Sequence, residues 1–123
     1  MYTYFKYTIL LEVIMKLAII GSRNLVLEDI SPYTAGCDEI VSGGAKGVDT
    51  CAAEYAHKNG IKLTVFLPNY EKYGRAAPIR RNEQIVDYAD KVIAFWDGRS
   101  KGTLSVIKYA EKIGKECQVV LCK

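Results

Sequence analysis

The sequence predicts an α/β domain built on a doubly wound parallel sheet of about five strands in a three-layer α/β/α arrangement. Apolar runs rich in Val, Ile and Phe recur at 17–20, 39–41, 63–67, 92–96 and 117–122. Most do not alternate with polar residues, the pattern of strands covered on both faces. Segments with helical spacing lie between them, and strands joined through helices make right-handed crossovers and therefore a parallel sheet.

Each element has its own signature. Residues 46–59 place Val48, Ala52, Tyr55 and Ala56 on one helical side and end at Gly60, suited to a left-handed cap. Residues 78–89 begin with Pro78, favoured in a first helical turn, and carry the stripe Ile79, Ile85, Val86 and Ala89. Residues 102–113 carry Leu104, Ile107, Ala110 and Ile113 and are closed by Gly114. Residues 26–33 form a weaker helical pattern that Pro32 must end or bend.

One core accounts for the length, since 123 residues match a single domain of about 100–150 residues. Half of the residues are hydrophobic and a quarter are charged, which excludes disordered and low-complexity classes. Residues 15–123 read as one domain and residues 1–14 as an N-terminal extension of uncertain origin. The extension is apolar and tyrosine-rich, with Tyr4, Phe5 and Tyr7, but Lys6 and Glu12 interrupt it and no small-residue cleavage site follows. It therefore reads as neither signal peptide nor membrane anchor.

The cysteines, Cys37, Cys51, Cys117 and Cys122, contain no C-x-x-C pair, and His57 is the single histidine. That spacing points away from a zinc site and from any metal. Cys51 and Cys117 fall within apolar patterns, a usage that suits a reducing cytoplasm. The net charge of +3 is mild for a nucleic-acid domain.

In an open parallel sheet every strand ends at one edge, and ligands bind in the crevice there. The segments following the first four strands are Gly21-Ser22-Arg23-Asn24, Ser42-Gly43-Gly44-Ala45-Lys46-Gly47, residues 68–78, and Asp97-Gly98-Arg99-Ser100-Lys101-Gly102-Thr103. All are rich in glycine, hydroxyls or arginine, whereas the opposite connections are short and plain. The second leads straight into a helix, where backbone amides and the helix dipole favour a phosphate. A tight turn needing positive φ would read the same way. Asp49, in the first helical turn, either binds a ribose or base or stabilises the helix without a ligand. The fourth repeats the arrangement as an anion site or as a solvated turn with Ser100 or Thr103 as N-cap. Tyr73, Arg75, Arg80, Arg81 and Asn82 lie in or just after the longest loop, and arginines with a tyrosine suit phosphates and a stacked base. His57 suits a helix C-terminus, and Trp96 a core edge.

The strings Ser42-Gly43-Gly44-Ala45-Lys46-Gly47-Val48-Asp49, Gly21-Ser22-Arg23, Arg81-Asn82 and Lys101-Gly102-Thr103 together resemble the SLOG superfamily. The likeness spans residues 16–123 and is nearest to its small stand-alone YspA-like, YpsA-related branch. DNA-processing protein A and the lysine-decarboxylase-like phosphoribohydrolases are more distant. The resemblance implies a Rossmann-like sheet binding a nucleotide across residues 21–23, 42–49, 81–82 and 98–103. It also implies a homo-oligomer, dimer or tetramer.

Within that resemblance a sensor or regulatory module fits best, with ADP-ribose, an NAD-related molecule or a nucleoside monophosphate as ligand, and no cofactor required. Single-stranded nucleic-acid binding is a less favoured alternative. Hydrolysis of an N-glycosidic bond is another, but the family hydrolases carry P-G-G-x-G-T-x-x-E, and Val106 stands where that glutamate belongs. Valine cannot do acid-base work.

Overall fold

The computed structural model describes residues 14–122. The expected extension at residues 1–14 therefore lies outside the described residues except for Ile14. Five strands form one sheet: β1 (Lys16–Gly21), β2 (Glu39–Ser42), β3 (Lys62–Val65), β4 (Lys91–Trp96) and β5 (Cys117–Leu121). Every neighbouring pair is parallel, in the order β3-β2-β1-β4-β5. The helices are α1 (Val48–Lys58), the single turn α2 (Tyr70–Tyr73), α3 (Ala77–Tyr88) and α4 (Lys101–Ile113), with 3₁₀ turns at Ser31–Tyr33 and Gly74–Ala76. The Rossmann-like three-layer fold is thus observed.

The period-two geometry of the strands divides the core between the two sheet faces. Ala18, Ile20, Val41, Val92 and Ala94 point to one face, where Ile85, Val86 and Ala89 of the α3 segment and Val106 and Ala110 of α4 cover them. Leu17, Ile19, Ile40, Ile93 and Phe95 point to the other, beneath Val48, Ala52 and Ala56 of α1 and beneath Ile30. Tyr33 meets the Phe95 ring edge-on, with centroids 5.0 Å apart.

Several expectations are corrected. Residues 26–33 contain no α-helix: the Asp29 carboxylate accepts hydrogen bonds from both the Ser31 amide and hydroxyl at 2.9 Å, a local turn that competes with helix. Only β1, β2 and β4 are covered on both faces. β3 and β5 lie at the sheet edges, leaving Leu63, Val65, Val119 and Leu121 exposed. In α3 Ile79 faces solvent, and in α4 the buried side is Thr103, Val106 and Ala110, with Ile113 outside. The phase of α4 is decided by its neighbour α3 as well as by the sheet, which no single stripe reveals. The long connection 68–78 is itself folded into α2 and a 3₁₀ turn.

Candidate functional site

All five strands end at one edge, and the order reverses between β1 and β4, so the loops after them diverge and leave a crevice. Its volume is about 450 Å³. Gly21 and Arg23 enter it from the β1 loop, Gly43, Gly44 and Asp49 from the β2 loop and first turn of α1, Arg81 and Asn82 from α3, and Ser100, Gly102 and Thr103 from the start of α4.

The loop after β2 is held from three sides. The Gly44 amide donates to Ser42 Oγ at 3.3 Å, and the Ala45 amide donates to Asp49 Oδ2 at 3.0 Å. The Arg81 guanidinium donates to the Gly43 carbonyl and, at 3.3 Å, to the Phe66 carbonyl, tying the β2 and β3 loops to α3. A Cβ on Gly43 would lie 2.8 Å from Arg81 Nη1 and 3.1 Å from Asp49 Oδ2, so any side chain there would displace the guanidinium from its place over the loop. From sequence this loop is either a phosphate cradle or a tight turn with positive φ at its glycines, and Gly44 and Gly47 do have positive φ. In the structure the Gly44 and Ala45 amides already have acceptors, and a carboxylate occupies the N-terminal end of α1.

Asp49 is 6% exposed. Burial pushes its carboxyl above the ordinary range, against the Ala45 and Gly43 amides and the Arg81 and Arg23 guanidinium groups, which pull it down. Burial likewise lowers Arg81, against the charge of Asp49. A carboxylate raised by burial favours the fold when protonated, and that contribution fades as pH rises from its ordinary value of 3.8 through the higher folded value. Asp49→Asn keeps an acceptor for the Ala45 amide and removes the charge. Its melting temperature relative to the parent is expected to climb from pH 3 towards neutrality and then level off. A difference independent of pH in thermal melts would contradict the raised carboxyl.

The crevice wall after β4 is the start of α4. Asp97 Oδ1 accepts from the Arg99 and Ser100 amides, both at 2.8 Å, and these bonds hold its carboxyl below the usual range. Ser100 Oγ caps the helix by accepting from the Thr103 amide at 3.3 Å, and Trp96 Nε1 braces the Ser100 carbonyl at 3.0 Å. No acidic residue lies in the first turn of α4. Beyond its own helix, no protein atom would lie within 4 Å of a Cβ placed on Gly102. Asn82 Nδ2 reaches Ser105 Oγ at 3.3 Å, and Ser105 Oγ donates to the Gly102 carbonyl at 2.7 Å, so Asn82 positions this turn from α3.

The remaining sequence candidates lie elsewhere. Ser22 is buried behind the crevice, its amide on the Phe95 carbonyl at 3.0 Å and its Oγ accepting from the Asp97 amide at 3.2 Å. Ser42 is buried beneath its loop, and Gly47 packs against the backbone of Ser22 and Arg23. Lys46 and Lys101 are exposed and do not line the crevice. Arg80 turns outward to Glu83 at 3.1 Å, and Arg75 is exposed. Tyr73 carries Lys72 over its ring at 5.1 Å, away from the crevice. Asp97 and Gly98 line a separate depression of about 530 Å³ with Arg99 and Cys122. Another groove of about 410 Å³ lies beside α1, among Glu28, Asp29 and Glu54, whose charges repel an anion. From the expected rim segment 68–78 the crevice takes Pro68, Tyr70 and Pro78, and it adds Leu67, which no sequence motif marked. Tyr70 and Tyr73 bracket the same single turn, and its phase is set only once that turn is folded.

Residues 17–73, from β1 to α2, match the sequence model of YAcAr, the YspA, cpYpsA-related SLOG family. This stretch belongs to the SLOG family. It contains the Gly21–Arg23 turn and the Ser42–Asp49 loop, whereas α3 and α4 of the crevice lie beyond the SLOG match. The "Gene 61 protein" of Mycobacterium phage D29 is similar as well, 36% identical over 81 residues that cover 61% of this chain. The chain spans 65% of the length of that protein. Among the described residues no helix is long and apolar enough to cross a membrane.

Proposed function

We propose that this chain is a nucleotide-binding module with a sensory or regulatory role, whose crevice between the β1 and β4 ends receives a phosphorylated, NAD-related or similar nucleotide. The observation that carries this reading is the start of α4. A capped helix with no acid in its first turn presents its positive end to the crevice, and Gly102 leaves open space where a side chain would stand. Gly102 is exposed in the first helical turn, so without a side chain it lets a ligand group approach the amides of that turn. Arg23 adds a cation, and Asp49 offers an acceptor for ribose hydroxyls. SLOG membership points the same way.

Turnover is not part of this proposal. Val106, at the position of the family hydrolases' glutamate, is buried in the core beneath α4, where a carboxylate would be desolvated. Thermal shift and calorimetric titration with ADP-ribose, NAD, nucleoside monophosphates, cyclic nucleotides and a short oligonucleotide test the reading. A ligand bound by the native state alone raises the melting temperature. Stabilisation by a mononucleotide or dinucleotide without its consumption is the expected result. A shift with the oligonucleotide alone, fading as salt rises, would replace this reading by a single-strand-binding one. Gly44→Val is expected to abolish nucleotide binding with the fold retained. Gly44 has φ +70°, and a Cβ there would meet only the side-chain ends of Leu67 and Val65, at 2.9 and 3.0 Å. Unchanged affinity would remove this loop from the site.

A further inference from the structure

The order β3-β2-β1-β4 lays the four crevice loops out in a line along the sheet edge. At strand spacings of 4.7–4.9 Å the line is about 14 Å long. Its two ends differ in chemistry. The end after β4 holds Ser100, Gly102 and Thr103 at the helix start, and the middle holds Asp49 and Arg23. At the end after β3, Leu67, Pro68, Tyr70 and Pro78 line the wall. Two of these stand far out of the core: Leu67 is 67% and Tyr70 60% exposed.

The backbone that carries Tyr70 is nevertheless held in place. Tyr70 opens the single turn α2, which Asn69 caps by accepting from the Lys72 amide at 3.1 Å. The Tyr73 amide closes the turn on the Asn69 carbonyl at 3.0 Å. Arg81, which lines the same crevice, is tied to the Phe66 carbonyl of the same connection. The turn fixes where the Tyr70 backbone stands, at the mouth of the crevice, while most of its ring surface lacks burial. A flat ring from a ligand would supply that burial.

Resting on the nucleotide reading above, we infer that Tyr70 is a specificity-determining residue whose ring stacks the heterocyclic base of the ligand, placing the base at the β3 end and the phosphate at the α4 end. Leu67, Pro68 and Pro78 complete the apolar wall. Asp49 lies between, facing the sugar. The polarity of the ligand along the crevice follows from the sheet order, and a sugar phosphate lacking a base leaves the β3 end empty.

The test is calorimetric titration of the full chain with adenosine 5′-monophosphate and with ribose 5-phosphate, comparing Tyr70→Ala, Tyr70→Phe and Tyr73→Ala. Stacking on one aromatic side chain corresponds to roughly a 5- to 150-fold change in affinity. Tyr70→Ala is expected to lose that much for the nucleotide and nothing for the sugar phosphate. Tyr70→Phe and Tyr73→Ala are expected to bind as the parent does, with matching thermal melts showing that all four proteins are folded. Equal losses for both probes, or no loss for either, would overturn the role of Tyr70 while leaving nucleotide binding intact. If the parent protein binds no nucleotide, the functional proposal falls and this one with it.

Discussion

Gly47→Ala is expected to destabilise the fold by about 3 kcal/mol or more. Gly47 precedes α1 with φ 77° and ψ −121°, a conformation open essentially to glycine alone. A Cβ there would lie 2.5 Å from the Arg23 carbonyl oxygen and 2.8 Å from that of Ser22. Both obstacles are backbone, so relief requires the β1 loop to move away from α1, and the β1 loop is pinned to β4 through Ser22. Gly36→Ala supplies the comparison. Gly36 also has φ 77°, but nothing lies within 4 Å of its built Cβ, so it should lose only the backbone strain of about 1–2 kcal/mol. Denaturant unfolding of the two variants measures the difference. Equal losses would mean that close approach of the β1 and β2 loops adds nothing to the strain.

Arg81→Ala should be the next most damaging change, at about 2–3 kcal/mol. It deprives the Gly43 and Phe66 carbonyls of their shared donor and leaves Asp49 without its principal countercharge. The Asp49 carboxyl should then rise further, and the loss should deepen as pH increases through that range. Arg81→Lys restores a charge without the planar fork, so an intermediate loss is expected. Combining Arg81→Ala with Asp49→Asn should cost less than the sum of the two, because the second change removes the charge that the first leaves unpaired. Strict additivity in the double-mutant cycle would show that the two side chains are not coupled. The sequence treats Arg81 as a ligand contact. Its first role in the structure is as a strut that spans from α3 to the loops after β2 and β3.

Much of the fold is legible because it follows from local pattern. The runs at β1 and β4 are buried on both faces, so continuous apolar sequence identifies them. Gly60 and Gly114 mark helix ends through their positive φ, which the absence of a side chain permits. The edge strands mislead for the same reason: β3 and β5 are as apolar as central strands, yet lack a neighbour on one side. Residues 26–33 mislead because a side-chain hydrogen bond from Ser31 to Asp29 outweighs a weak helical period.

By itself the sequence determined that strands and helices alternate, that glycine-rich and basic turns gather at one edge of a parallel sheet, and that no glutamate follows Gly102-Thr103 at the hydrolase spacing. These are properties of residue type and order along the chain. Only the tertiary structure decided which polar groups remain free for a ligand. Ser22, Ser42 and Gly47 are occupied in holding loops together, Asp49 spends Oδ2 on an amide of its own loop while still lining the crevice, and Tyr70 rather than Tyr73 reaches the crevice. The physical reason is that a hydrogen-bonding group can be claimed by any partner that folding brings within about 3 Å, and several of those partners come from the loop of a neighbouring strand that is distant along the chain.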